Sequence, residues 1–179
     1  MYALFLIAVL AADVFGLQWG ESPRSVTMKQ VSLTETETDG PFVHYFTHKL
    51  PKNLENVIMY RLTFHKTKGL QKIVALSPRT LNESKIKSEF DRIESILKSK
   101  YEVVFTKKEV KPDVPFLQCL ELEACGKWIA VFTAPDRDIM IEIISSDEAG
   151  VLVSIEAKTY NELEEQRKKL AIEKDGQVL

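Results

Sequence analysis

The amino-acid sequence predicts an α+β fold, an antiparallel sheet with helices packed on one face, arranged as two tandem helix-plus-strands modules. Three observations carry this. Residues 57–65 alternate strictly, with Ile58, Tyr60, Leu62 and Phe64 on one side and Met59, Arg61, Thr63 and His65 on the other. Ile86, Phe90, Ile93, Leu97 and Tyr101 recur at spacings of four, three, four and four, the apolar stripe of a helix. Three more alternating runs follow in close succession around Trp128–Phe132, Ile139–Ile144 and Val151–Ala157, joined by turn-rich connectors, which reads as an antiparallel meander.

The elements are expected in this order. Phe15, Leu17 and Trp19 alternate as a short strand, with Gly16 and Gly20 freeing the backbone. Ser22 caps a short helix with Pro23 at its first position, where a missing N–H costs nothing. The Thr-rich residues 31–38 form an edge strand ending at Asp39-Gly40, and residues 42–48 form the next. Residues 57–65 and 70–76 make a hairpin over Lys66-Thr-Lys-Gly69, where Gly69 supplies positive φ. Thr80-Leu-Asn-Glu83 reads as a capping box opening a helix over residues 83–100, with Glu94 among the residues off its apolar stripe. A short strand over 103–109 and a loop marked by Pro112 and Pro115 lead to the cysteines. After the meander, Thr159-Tyr-Asn-Glu162 is a second capping box. It opens a charged helix over 160–174, supported by Glu164/Lys168 and Glu165/Lys169 pairs at i, i+4. The order helix-then-strands occurs twice, in residues 15–76 and 80–158.

Residues 2–12 are apolar and end in small residues. Eleven residues are too few to span a bilayer, which needs about 20, but they match the core of an export leader. Cleavage is expected after Ala11, with Ala12 as the near alternative. No Lys or Arg precedes the run, so only the α-amino group supplies positive charge there. The expected organisation is a signal peptide over 1–12 and one α+β domain over 13–179, periplasmic or secreted, with no integral membrane span once the leader is removed. Apolar and charged fractions of 45% and 28% are those of a globular chain. A net charge of −2 with interspersed signs gives no support for a nucleic-acid partner.

Export would let Cys119 and Cys125 pair. In one continuous helix their Cα atoms would stand about 9 Å apart, beyond disulfide reach, so a bridge requires a bend between them, with Gly126 at its exit. Two buried free thiols are the alternative.

Catalytic chemistry finds little footing. His44 and His48 share a strand face but lie about 13 Å apart, and His65 approaches only in one register. Asp136, Asp138 and Glu142 cluster around a turn, where solvated carboxylates are expected. No Gly-x-Ser-x-Gly elbow and no Gly-rich phosphate loop is present. No catalytic, cofactor-binding or metal-binding residue is therefore assigned, and no cofactor is expected. Asn82-Glu83-Ser84 is a formal glycosylation sequon that coincides with a helix start, and it is read as capping chemistry.

The segment Phe15-Gly-Leu-Gln-Trp-Gly-Glu-Ser-Pro-Arg-Ser-Val26 resembles the opening of small exported bacterial proteins. These include the small lipoprotein of the outer-membrane barrel-assembly machinery and the related fold of the β-lactamase-inhibitory protein. Tyr60-Arg-Leu-Thr-Phe64 followed by Gly69-Leu-Gln-Lys-Ile73 is similar to a hairpin of uncharacterised members. The resemblance implies tandem helix-plus-sheet modules and a role in binding another protein. The chain departs from the lipoprotein in having no Cys near the cleavage site to acylate. The expected function is an exported protein-binding module without catalytic activity, inhibitor- or immunity-like. The alternatives are an envelope-assembly accessory protein and a hydrolase with dispersed catalytic residues, the last requiring His44 or His65 to meet Asp136 or Glu142 in a cleft.

Overall fold

A computed structural model describes residues 13–122 and 124–176; the expected leader over 1–12 lies outside them. Helix α1 (Pro23–Met28) is followed by strands β1 (Thr34–Asp39), β2 (Phe42–Thr47), β3 (Met59–His65) and β4 (Gly69–Leu76). Helix α2 (Glu83–Lys98) then leads to β5 (Glu102–Val110), a short helix α3 (Phe116–Glu121), β6 (Gly126–Ala134), β7 (Arg137–Ser145) and β8 (Ala149–Ala157). Helix α4 (Tyr160–Gly176) is the last described element.

The strands form one eight-stranded antiparallel sheet in the order β1-β2-β3-β4-β8-β7-β6-β5. Each helix-plus-four-strands module is a meander, and the two meanders meet through their last strands. Val74 stands opposite Ser154 at the middle of that seam, with Ile73 opposite Ile155 and Ala75 opposite Val153. The sheet therefore reads the same outward from its centre in both directions, with β1 and β5 as equivalent outer edges.

Alternation decides which face is core. Tyr60, Leu62, Ile73, Ala75, Ala130, Phe132, Ile139, Ile141, Ile143, Val151, Val153 and Ile155 point to one side and are buried. The predicted stripe of α2 packs there, with Ile86, Phe90 and Ile93 buried. Val26 of α1 and Phe116 of α3 join the same core. Helix α4 uses the opposite face: its Tyr160 ring packs 5.6 Å from Phe42, whose neighbours Val43 and Tyr45 point the other way.

Several local expectations are corrected. Phe15 to Trp19 is not a strand. Phe15 and Gly16 both take positive φ (55° and 82°), making a two-residue turn that pairs Val14 with Leu17 and buries both. Ile58 precedes β3 and is exposed. The cap of α2 is Asn82, whose Oδ1 accepts from the Lys85 N–H at 2.9 Å, while Thr80 bridges to Ala149. The sequon asparagine is thus a helix cap. Thr159 turns its hydroxyl to Gln71 Oε1 (2.8 Å), the buried extra residue of a bulge in β4. On α4 the pairs are at i, i+3: Glu164 with Arg167 and Glu165 with Lys168.

Glu94 is the largest departure. It lies four residues after Phe90, one step from the apolar stripe, and is buried. Lys108 of β5 holds it at 2.9 Å and Lys98 at 3.0 Å, so the charge is paired where the fold encloses it.

Candidate interaction face

The side chains that point away from the core fall into rows that cross the sheet. One row runs Phe46, Arg61, Val74, Ser154, Met140, Val131 and Phe105, from β2 to β5. Beside it runs Met59, Leu76, Leu152, Glu142, Ile129 and Lys107. A third row is polar from edge to edge: Glu37, His44, Thr63, Lys72, Glu156, Asp138, Thr133 and Glu102. Side chains two residues apart along each strand share a face, so these rows are neighbours.

The first two rows are mainly apolar, yet none of their aliphatic or aromatic members belongs to the core or packs against it. They are half-buried among one another, and Phe105 at the β5 edge is 49% exposed. A second apolar layer on an otherwise complete sheet has no role in holding the first layer together. Contiguous apolar surface of this kind marks interaction sites.

The middle of the polar row pairs its charges locally. Lys72 pairs with Glu156 at 2.7 Å, and Lys158 pairs with Asp138, which also accepts from Thr133 at 2.8 Å. His44 Nδ1 lies 3.0 Å from Thr63 Oγ1. Burial holds the His44 imidazole below its ordinary pKa, and the nearby Arg61 charge adds to the effect. The Lys72 ammonium sits 5.1 Å from the centre of the Tyr160 ring, where α4 walls this side of the face. Burial also raises the Tyr160 phenol, assisted by Glu164, so that it stays a neutral wall. The face thus grades from mainly apolar rows, through a polar row, to a helix.

The residues weighed for catalysis are not brought together. His44 and His65 stand on β2 and β3, and Glu142 stands on β7, three or four strands away. At about 4.8 Å per strand they are separated by roughly 14–19 Å. His48 donates through Nδ1 to the Ile58 carbonyl at 2.8 Å. Asp136 chelates the buried Arg137 guanidinium at 2.6 and 2.8 Å, and this contact holds its carboxyl below the usual range. Trp19, half-buried against the core, lies under that guanidinium at 5.9 Å. No three His, Cys, Asp or Glu side chains are gathered as a metal site among the described residues. No described helix is long and apolar enough to cross a membrane.

The cysteines do come together. Helix α3 ends at Glu121, Leu122 turns extended, and Cys119 and Cys125 form a disulfide with Cα atoms 5.0 Å apart. Gly126 then starts β6 so close to β5 that a Cβ would fall 2.5 Å from the Glu109 carbonyl oxygen. The expected bend and exit are both present.

No family model, curated protein or solved structure matches this chain.

The strand alternation made this face visible in part, since Met140 and Ile144 are apolar on the side opposite Ile139, Ile141 and Ile143. Its continuity was not, because rows depend on which strands are neighbours.

Proposed function

We propose that the chain is an exported protein-binding module, without catalytic activity, that engages another protein through the open face of its sheet. The carrying observation is the pair of apolar rows that belong to no core, bounded by a polar row in which Lys72 pairs with Glu156 and Lys158 with Asp138. A partner seated there buries Val74, Met140, Val131, Leu76 and Leu152, and must supply a donor for the Glu142 carboxylate that stands between Leu152 and Ile129. The apolar run over 2–12 and the paired cysteines support an exported protein. The opening motif's resemblance supports an inhibitor- or immunity-like role. An envelope-assembly accessory role uses the same face and differs in the complex with which the protein co-purifies.

The test is affinity capture of the mature protein from envelope extract, comparing wild type with Met140→Asp and Leu152→Asp. A specific partner should be recovered with wild type, lost with both face variants, and retained with Lys85→Ala on α2. Capture indifferent to the face variants sinks the reading. So does the absence of any partner alongside turnover of an ester or glycoside panel. The mass of the exported protein tests the leader; retention of residues 1–11 overturns it.

A further inference from the structure

The two outer strands occupy equivalent places in the sheet and are built in opposite ways. Strand β1 reads Thr-Glu-Thr-Glu-Thr-Asp, all exposed, with a register shift between Glu35 and Glu37. Arg167 of α4 holds its end at Asp39. Acidic and tied down, it is an edge guarded against pairing. Strand β5 is nine residues long and carries exposed Val103 (43%), Val104 (61%) and Phe105 (49%) in its first half. Its outer N–H and C=O groups have no neighbouring strand among the described residues.

We infer that β5 is the dimerisation edge, pairing antiparallel with β5 of a second copy about Phe105. The argument for a copy of this chain is self-complementarity. The register shift between Val103 and Phe105 makes Val104 an extra residue, so Val103 and Val104 together oppose a single partner residue. With Phe105 opposite its own counterpart, Thr106 of one copy faces the two valines of the other. Glu102 of one copy then faces Lys107 of the other, on the same side of the sheet. The two-fold axis repeats that charge pair, so Phe105 is flanked by opposite charges on both sides. Among the described residues Lys107 has an ionic contact only to Glu109, at 3.8 Å, and Glu102 is exposed. Lys108 points to the other face and is committed to Asp91 and Glu94. The same operation on β1 brings acidic side chains against one another.

The dimer continues the sheet through sixteen strands, and the two Phe105 rings join the apolar row of one copy to that of the other. It goes beyond the binding role proposed above and is tested separately from it.

Sedimentation velocity on the intact protein, from about 1 to about 100 μM, should show a monomer–dimer equilibrium. Glu102→Lys and Lys107→Glu should each weaken it by about tenfold or more. The double charge swap should restore it, since the attraction is re-formed with its sign reversed. Circular dichroism and unfolding midpoint check that each variant keeps the fold. A monomer at the highest concentration overturns the inference. A dimer indifferent to the single swaps, or not rescued by the double swap, also overturns it. A ladder of larger oligomers would indicate β5-to-β1 pairing and likewise overturns it. Loss of dimer in Met140→Asp with no effect of the charge swaps would place the contact on the open face instead.

Discussion

Gly69 lies so close to Gly20 that a Cβ on it would stand 2.1 Å from the Gly20 carbonyl oxygen. The approach is made by backbone pairing: the Gly20 N–H donates to the Leu70 carbonyl at 3.0 Å, and the Leu70 N–H donates to the Glu21 carbonyl at 2.8 Å. Gly69 also holds φ at +65°, where side chains are strained. Gly69→Ala should therefore cost about 2–4 kcal/mol. Urea unfolding would show a lower midpoint with an unchanged slope. An unchanged midpoint would mean the segment before α1 can move away without loss.

Lys108 is the cation on which the buried Glu94 depends. Burial disfavours the Lys108 charge, but its contacts to Asp91 (2.7 Å) and Glu94 outweigh that and raise its pKa. Lys108→Met removes one of the two cations at Glu94 and should cost about 1–3 kcal/mol. Combining it with Glu94→Gln should cost less than the sum of the two single changes, and a double-mutant cycle reads the coupling. Additive losses would show that the two residues act independently.

The disulfide closes a loop of sequence separation six. Chain-entropy arithmetic for so short a loop gives about 2 kcal/mol. In a protein of this size, Cys119→Ser with Cys125→Ser should lower the melting temperature by about 4–8 °C. The loss should concentrate at α3, seen as faster amide exchange over residues 116–122 than in β7. A uniform change across the sheet would contradict a local clamp.

Acid should weaken the fold through its histidines before its carboxylates titrate. Burial lowers the pKa of His44 and of His65, with Arg61 and Lys68 adding to it respectively. The unfolded chain takes up these protons near pH 6.5, and the folded chain only at lower pH. Stability is therefore level above about pH 7 and falls as pH drops through the folded-state values. Melting temperature measured at pH 7.5 and pH 5 should decline in wild type and decline less in a His44→Asn, His65→Asn double variant. Equal declines would assign the effect elsewhere.

Periodicity carried the fold class because both signals were long. Tyr60–Phe64 and Ile139–Ile143 alternate without interruption, and the α2 stripe spans four turns. What escaped depends on contacts distant in sequence. Nothing within residues 70–76 says that β4 pairs with β8, so the rows of the open face could not be assembled. The side of the sheet taken by α4 is set by Tyr160 meeting Phe42, another long-range contact. Glu94 was nearer to hand: its place four residues after Phe90 and four before Lys98 already puts it beside the apolar stripe with a cation in reach. At Phe15-Gly16 the flanks Val14 and Leu17 are both buried, and alternation over five residues cannot separate such a tight turn from a strand.

The β4–β8 seam also governs the order in which the chain can assemble. Within each meander, pairing strands are joined by turns, by the loop over residues 48–58 between β2 and β3, or by the α3 segment between β5 and β6. Lys72 and Glu156, by contrast, are about 80 positions apart, and closing such a span comes late because its entropy must be overcome before any contact forms. Each half therefore spends part of its folding time with an open, apolar edge, β4 in one and β8 in the other. Two fragments divided in the link over residues 77–82 should recognise each other through those edges, and the intact chain is most exposed to aggregation before they close.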